Sequence, residues 1–441
     1  MLPIEYFVLA IAIMTPSFFP CARILCSLSL AIFLATPAYG HDWPNWRGPN
    51  HDDKSTETGL LKEWPEGGPK KVWHVETCGL GYSGFSVVGN RLFTMGQEDN
   101  SQFALCLDAE SGETIWKVAL GDSYDNDWGG GPRGTPTITG DVGYFLTAKG
   151  DLACLKIADG TSVWAVKMSD FGGEVPKWGY SESPLVDNGN VICTPGGSDG
   201  TLMALDVASG EKLWQSQPVT KPMDSGAPSA PAKAHYSSVL PISWNGQRQY
   251  VQLTELAIVG FAAEDGKLLW QSDWPGRVAV VPSPIFDDGS VYVTSGYGIG
   301  CKSIKLNGTF EPSVEWRNRI MKNHHGGVIL LDDFYYGHSD KAGLTCQSQE
   351  TGERVWNTKK IKKGAIAYAD DRFYYIEEKN GRVLLIAADE NKPSVKGMFK
   401  LDPQSTQRKS KGMIWTHPVI SNGRMYLRDQ EIIYCYNVAK E

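Results

Sequence analysis

Short runs of alternating apolar and polar residues, each closed by a turn rich in glycine, asparagine or aspartate, fill the chain from about residue 68 to 438. Alternation with a period of two is the pattern of a half-buried strand, and no stretch of helical spacing rivals it. The segment around 182–216 shows the unit. ESPLVDN, NVICT, TLMALD and KLWQS read as four strands, separated by an Asn-Gly turn, a Pro-Gly-Gly-Ser-Asp-Gly turn and an Ala-Ser-Gly turn.

The unit is copied along the chain. LDAESGETIW, ending at Trp116, returns as LDVASGEKLW at Trp214, FAAEDGKLLW at Trp270 and QSQETGERVW at Trp356, with a looser LKIADGTSVW at Trp164. Degenerate copies end at Trp316 and Phe399. With Trp73, the closing aromatics stand 40 to 56 residues apart, the length of one four-stranded propeller blade. Seven of the 15 tryptophans occupy this slot, so most of the aromatic content is assigned to packing between blades. Gly112, Gly160, Gly210, Gly266 and Gly352 each lie four residues before their aromatic, where a tight turn needs positive φ.

Eight innermost strands are predicted, at about Phe85, Thr135, Ser183, Ser238, Ser283, Gly327, Ala365 and His417. Trp73 precedes all of them, and the last unit, Met413 to Val438, lacks a fourth strand. Lys70 to Glu76 should complete it. The prediction is an all-β, eight-bladed β-propeller of four-stranded blades, its ring closed by an N-terminal strand so that the outermost gap is sealed. Residues 68–441 form that propeller, preceded by an extension at 41–67.

Blades of the form Ala-x-Asp-x-x-Ser/Thr-Gly-x-x-x-Trp, eight to a ring over 68–438, resemble the PQQ-repeat family. That resemblance implies one of two activities. One branch comprises quinoprotein alcohol dehydrogenases, which use pyrroloquinoline quinone (PQQ) and calcium; the other comprises non-catalytic propellers such as the BamB-type outer-membrane assembly component. The dehydrogenases commonly carry a vicinal cysteine pair, and their haem-bearing relatives Cys-x-x-Cys-His; this chain has neither. PQQ and calcium thus have no specific motif to support them.

Residues 1–40 read as an export signal. Arg23 precedes an apolar run from Ile24 to Leu34, and Ala38-Tyr39-Gly40 offers small residues before a cleavage at His41. The expectation is an exported protein, periplasmic or extracellular, monomeric, with no membrane span in the mature chain. Of its nine cysteines, Cys21 and Cys26 leave with the signal, and the remaining odd number argues against a full disulfide framework. Cys106, Cys154, Cys346 and Cys435 hold a slot where other blades have small residues, so they should be buried and unpaired. A net charge of −8 with mixed signs leaves no basic stripe for nucleic acid. Lys359 to Lys363 reads as a solvated loop, the Pro/Ser/Ala-rich 217–233 insertion as a loose excursion, and Asp122, Asp125 and Asp127 as a polar turn or, less fittingly, a calcium loop.

Aligning the innermost strands by register gathers the chemically versatile residues at one mouth of the channel. One ring reads Ser83, Arg133, Ser181, Tyr236, Val281, His325, Lys363 and Trp415; the ring one residue earlier reads Tyr82, Pro132, Tyr180, His235, Val280, His324, Lys362 and Ile414. Glu182 and His417 join from neighbouring slots. A ligand funnel is one reading, with Arg133 and Lys363 drawing an anionic group and Tyr82, Tyr180 and Trp415 stacking on a ring or sugar; small molecules, saccharides and protein partners all fit it. A second is a transition-metal site made from His235, His324, His325, His417 and Glu182. A third is that these residues are polar because they meet solvent.

Overall fold

The computed structural model describes residues 41–221 and 229–440; the 1–40 segment expected to direct export and the centre of the 217–233 insertion lie outside them. Within the described residues, 32 strands form eight antiparallel sheets of four, with a single 3-10 turn at Met168–Phe171. Blades 1 to 7 run through 86–122, 137–167, 185–215, 240–273, 285–318, 328–358 and 364–400, each in simple chain order. Blade 8 takes Val419–Ser421, Arg424–Asp429 and Ile432–Asn437 from the C-terminal end and Lys71–Val75 as its outermost strand. Trp73 lies opposite Cys435 and His74 opposite Tyr434, so the ring is closed by the N-terminal strand. Arg428 reinforces the joint: it is fully buried and donates to the carbonyls of Gly79 (2.9 Å) and Met95 (2.7 Å) beside blade 1.

The outermost strands explain the tryptophan repeat. In KVWHV and SVWAVK only the tryptophan is buried while its neighbours face out, so one side chain per blade carries the packing between blades. The indoles of Trp73, Trp116, Trp164, Trp214 and Trp316 lie on the turn of the next blade, whereas Trp270 turns onto Gly260 of its own blade and leaves the blade 5 turn to Trp244. Trp116 Nε1 donates to Ile157 O (2.9 Å) and Trp164 Nε1 to Val207 O (3.0 Å), while a Cβ at Gly160 would come within 3.0 Å of Trp116 and one at Gly210 within 2.7 Å of Trp164. The repeat glycine therefore meets two demands, a positive φ and a bare face for the neighbouring indole. All seven described cysteines are buried and unpaired, spread over separate blades.

The 41–67 extension is structured. Trp43 exchanges backbone hydrogen bonds with Val87 of blade 1, Ile138 of blade 2 donates to Pro44 O, and Arg47 reaches Val328 O of blade 6 (2.6 Å). Farther on, Ser55 and Asp53 pair with Tyr368 of blade 7, and Leu61 with Val438. This segment crosses the channel near the far ends of the innermost strands. It closes one mouth. No helix among the described residues is long and apolar enough to cross a membrane.

Candidate functional site

The strap leaves the channel as a blind cavity of about 410 Å³, open on the side where the innermost strands begin. Of the sequence-predicted residues, Tyr82, Arg133, Tyr236, His324, His325, Lys363, Trp415 and His417 line it. Tyr180, Glu182 and His235 do not, because the entries of blades 3 and 4 alternate, whereas the successive His324 and His325, and Trp415, Thr416 and His417, all face in. Successive residues of an extended segment point to opposite sides; Ser181 and Ser183 face the cavity, so Tyr180 and Glu182 point away, and Tyr236 turns inward at the expense of His235. Glu182 instead accepts from Thr194 N–H (2.5 Å) inside blade 3, where burial pushes its carboxyl up to about 7 against that hydrogen bond. His235 pairs with Glu255 at 3.0 Å, and the Tyr180 hydroxyl reaches Pro195 O. Of the five candidate metal ligands only His324, His325 and His417 stay together at the cavity, and among the described residues no group of three or more His, Cys, Asp or Glu side chains is placed to hold a metal ion.

Aromatic rings build the wall. Tyr82 packs on Trp415 at 4.9 Å, Trp415 stacks on His325 at 4.8 Å with planes 27° apart, and Trp128 lies 6.4 Å from Trp415. The Tyr82 hydroxyl is committed to Trp128 O (2.6 Å). Arg133 lies over Tyr82 and Tyr124, at 5.5 and 4.8 Å, and donates to the carbonyls of Gly131 and Gly129, the latter at 2.7 Å. Trp46 of the strap forms part of the floor, 4.7 Å from His417. Beneath it, Arg47 donates to Asp53 (2.6 Å), whose other oxygen faces His417 Nδ1 at 3.5 Å, while His417 Nε2 donates to His325 O (2.7 Å). Burial alone would raise the Asp53 carboxyl, but Arg47 and His417 hold it below the usual range.

Opposite Arg133 is a polar cluster. Lys363, which the sequence placed both at the end of a solvated loop and on the inner ring, turns inward and donates to His324 Nδ1 at 2.7 Å; Glu378 stands 3.6 Å from it and accepts from Trp415 Nε1 (3.1 Å). Burial, then the charge of Lys363, brings His324 down to about 3, and His325 is likewise pushed well below the ordinary histidine range by burial and by His324 and Lys363. Both imidazoles are neutral at physiological pH.

Trp46, Arg47, Trp128, Trp178, Tyr297 and Glu378 also line the cavity, and register did not find them. Trp128 and Trp178 carried a signal, since each is a Trp-Gly pair in an inter-blade loop, away from the blade slot. Trp46 and Arg47 carried a weaker one, two tryptophans within four residues in a stretch too short to be a blade.

The residues do not fit the calcium and quinone centre that a dehydrogenase would need. Calcium takes six to eight oxygen ligands, yet Glu378 is the one carboxylate lining the cavity and it is held by Lys363 and Trp415. No two cysteines adjoin, and none lines the cavity.

An eight-bladed ring with tryptophan-closed blades and a plugged channel defines a class of propeller. The chain belongs to the PQQ-repeat family described as outer membrane protein assembly factor BamB, which matches residues 70–358. Among solved structures it is similar to BamB from Moraxella catarrhalis, at 15% identity over 78% of this chain and 93% of that one, with a TM-score of 0.52. The quinohemoprotein alcohol dehydrogenase of Comamonas testosteroni aligns at 12% identity over 92% of this chain and 82% of that one, with a TM-score of 0.60. A computationally designed protein, Ika8, aligns at 10% identity over 84% of this chain and 100% of that one, with a TM-score of 0.55. At these identities the likeness is one of fold. No curated protein matches.

Proposed function

We propose that the protein is an exported binding module that takes a small ligand in the blind end of its propeller channel. The observation that carries this is the strap: Trp46 and Arg47 lie across the channel and, with the walls of Tyr82, Trp128, Tyr236 and Trp415, make it an aromatic cup. Its volume of about 410 Å³ lies within the range of small-molecule sites, and sites of this kind are mostly apolar with a few placed polar groups. Export is supported by the apolar run after Arg23 and by the outer-membrane description of the family. The alternative, a PQQ- and calcium-dependent alcohol dehydrogenase, lacks the carboxylates and the cysteine pair.

The test is a thermal-shift and tryptophan-fluorescence panel of aromatic, saccharide and quinone compounds on the intact protein. One class should raise the melting temperature of the wild type and leave Trp415→Ala unmoved. Silence from every class would overturn the reading. Dye reduction on adding quinone, calcium and an alcohol would favour the dehydrogenase instead.

A further inference from the structure

Arg133 is a charge without a counter-charge. Its guanidinium is held by the carbonyls of Gly129 and Gly131 and lies over two tyrosine rings, yet no carboxylate among the described residues pairs with it. The other cations of the cavity are matched, Arg47 with Asp53 and Lys363 with Glu378. A guanidinium fixed by two carbonyls still has free N–H groups, and its planar fork suits a carboxylate.

The opposite wall presents an acceptor. An ammonium is donor-only, so Lys363 Nζ at 2.7 Å requires His324 Nδ1 to be the bare nitrogen. His325 Nδ1 lies 3.0 Å from that same nitrogen, and two lone pairs would repel there, so His325 Nδ1 carries the ring proton. The consequence falls on the far side of the ring. Nε2 of His325 is left unprotonated, with no partner among the described residues, on a residue that lines the cavity. Arg133, Tyr82, Trp415 and His325 follow one another along the wall at 5.5, 4.9 and 4.8 Å, so the anion receptor and the acceptor stand at the two ends of one row of packed rings.

Resting on the binding function above, we infer that the ligand is a carboxylated sugar, a hexuronate or a short saccharide ending in one. Its carboxylate sits on Arg133, a ring hydroxyl donates to Nε2 of His325, and the C–H face of the pyranose lies along the cavity side of the row that Tyr82 and Trp415 form between them. Each part disfavours a simpler ligand: a neutral sugar leaves the guanidinium without a counter-charge, and an aromatic acid without a hydroxyl leaves Nε2 without a donor.

Isothermal titration with D-glucuronate, D-glucose and benzoate tests this on the intact protein. Glucuronate should bind, and glucose and benzoate should each bind about tenfold to a hundredfold more weakly, the worth of a hydrogen bond to a charged or buried partner. Arg133→Gln should bring glucuronate down to the level of glucose. His325→Phe keeps the stack on Trp415 and removes the acceptor, and should bring glucuronate down to the level of benzoate. Melting temperatures of both variants identify any that fails to fold; Arg133→Met and His325→Leu, which remove the same charge and the same acceptor, then stand in with the same expected losses. Glucose equal to glucuronate overturns the anion, and benzoate equal to glucuronate overturns the sugar. Silence from all three with a response elsewhere in the panel sinks this inference alone; silence throughout sinks the binding function too.

Discussion

Gly160 adopts φ of 76°, with Trp116 packed against the place where a side chain would begin. Gly160→Ala should therefore cost more than the roughly 1–2 kcal/mol of a left-handed residue, because the indole must also move; urea unfolding measures it, and a cost below that range would show the indole to be loosely seated. Glu182 shows the reverse case, a residue the fold tolerates at a loss. Its folded carboxyl is raised by burial from the ordinary 4.5 to about 7, so the folded state holds the proton longer than the unfolded one. Stability is then undiminished below about pH 4.5, falls as pH rises towards 7, and stays lower above. Glu182→Gln keeps the shape without the charge and should raise stability at pH 8 by roughly 1–3 kcal/mol, the size of such a shift, with little gain at pH 4. Equal effects at the two pH values would mean that the carboxyl is ionised without penalty.

Two loops on the open side of the cavity are tied to each other. Asp125 and Asp127, in the loop after blade 1, pair with Lys409 and Lys411, in the loop before blade 8, the second pair at 2.8 Å. The aspartates that might have suggested calcium thus meet lysines from a distant part of the chain. All four side chains are exposed, so the ties are weak and salt-sensitive. Replacing Lys409 and Lys411 together by Ala should leave the melting temperature nearly unchanged while acrylamide quenches Trp128 more readily; unchanged quenching would mean that the loops are held by other contacts. Such ties are invisible to sequence reading, because the partners lie 284 residues apart. Blades were legible because each is local: its strands alternate, its turns carry glycine and its tryptophan recurs. The cavity was half legible. Register placed Arg133, His325 and Trp415 on one ring; of the ring one residue earlier Tyr82 and His324 also face in, while alternation at the entries of blades 3 and 4 turns Tyr180 and His235 away. The strap was missed, since it has no repeat and its residues acquire meaning only against blades 1, 2, 6 and 7.

At the scale of the whole ring, one strand completes what the C-terminal end leaves unfinished. Trp73 is buried on blade 8 and donates to Ala109 O (3.1 Å), so it joins blades 8 and 1. Trp73→Ala should cost about 3–5 kcal/mol, as large-to-small core changes do, and a smaller loss in urea unfolding would mean that Arg428 alone holds the joint. The joint also sets a schedule. Hairpins within a blade close short loops, whereas Arg428 must find Gly79 across 349 residues, and closing long loops slows folding. The strand synthesised first is the one seated last, and until then blade 8 keeps an open edge that other chains can join. A circular permutant joining residue 440 to residue 41 and opening between blades 1 and 2 would turn this late meeting into a near-neighbour one. It should refold faster with little change in equilibrium stability, and it would spend less of its life as a substrate for aggregation.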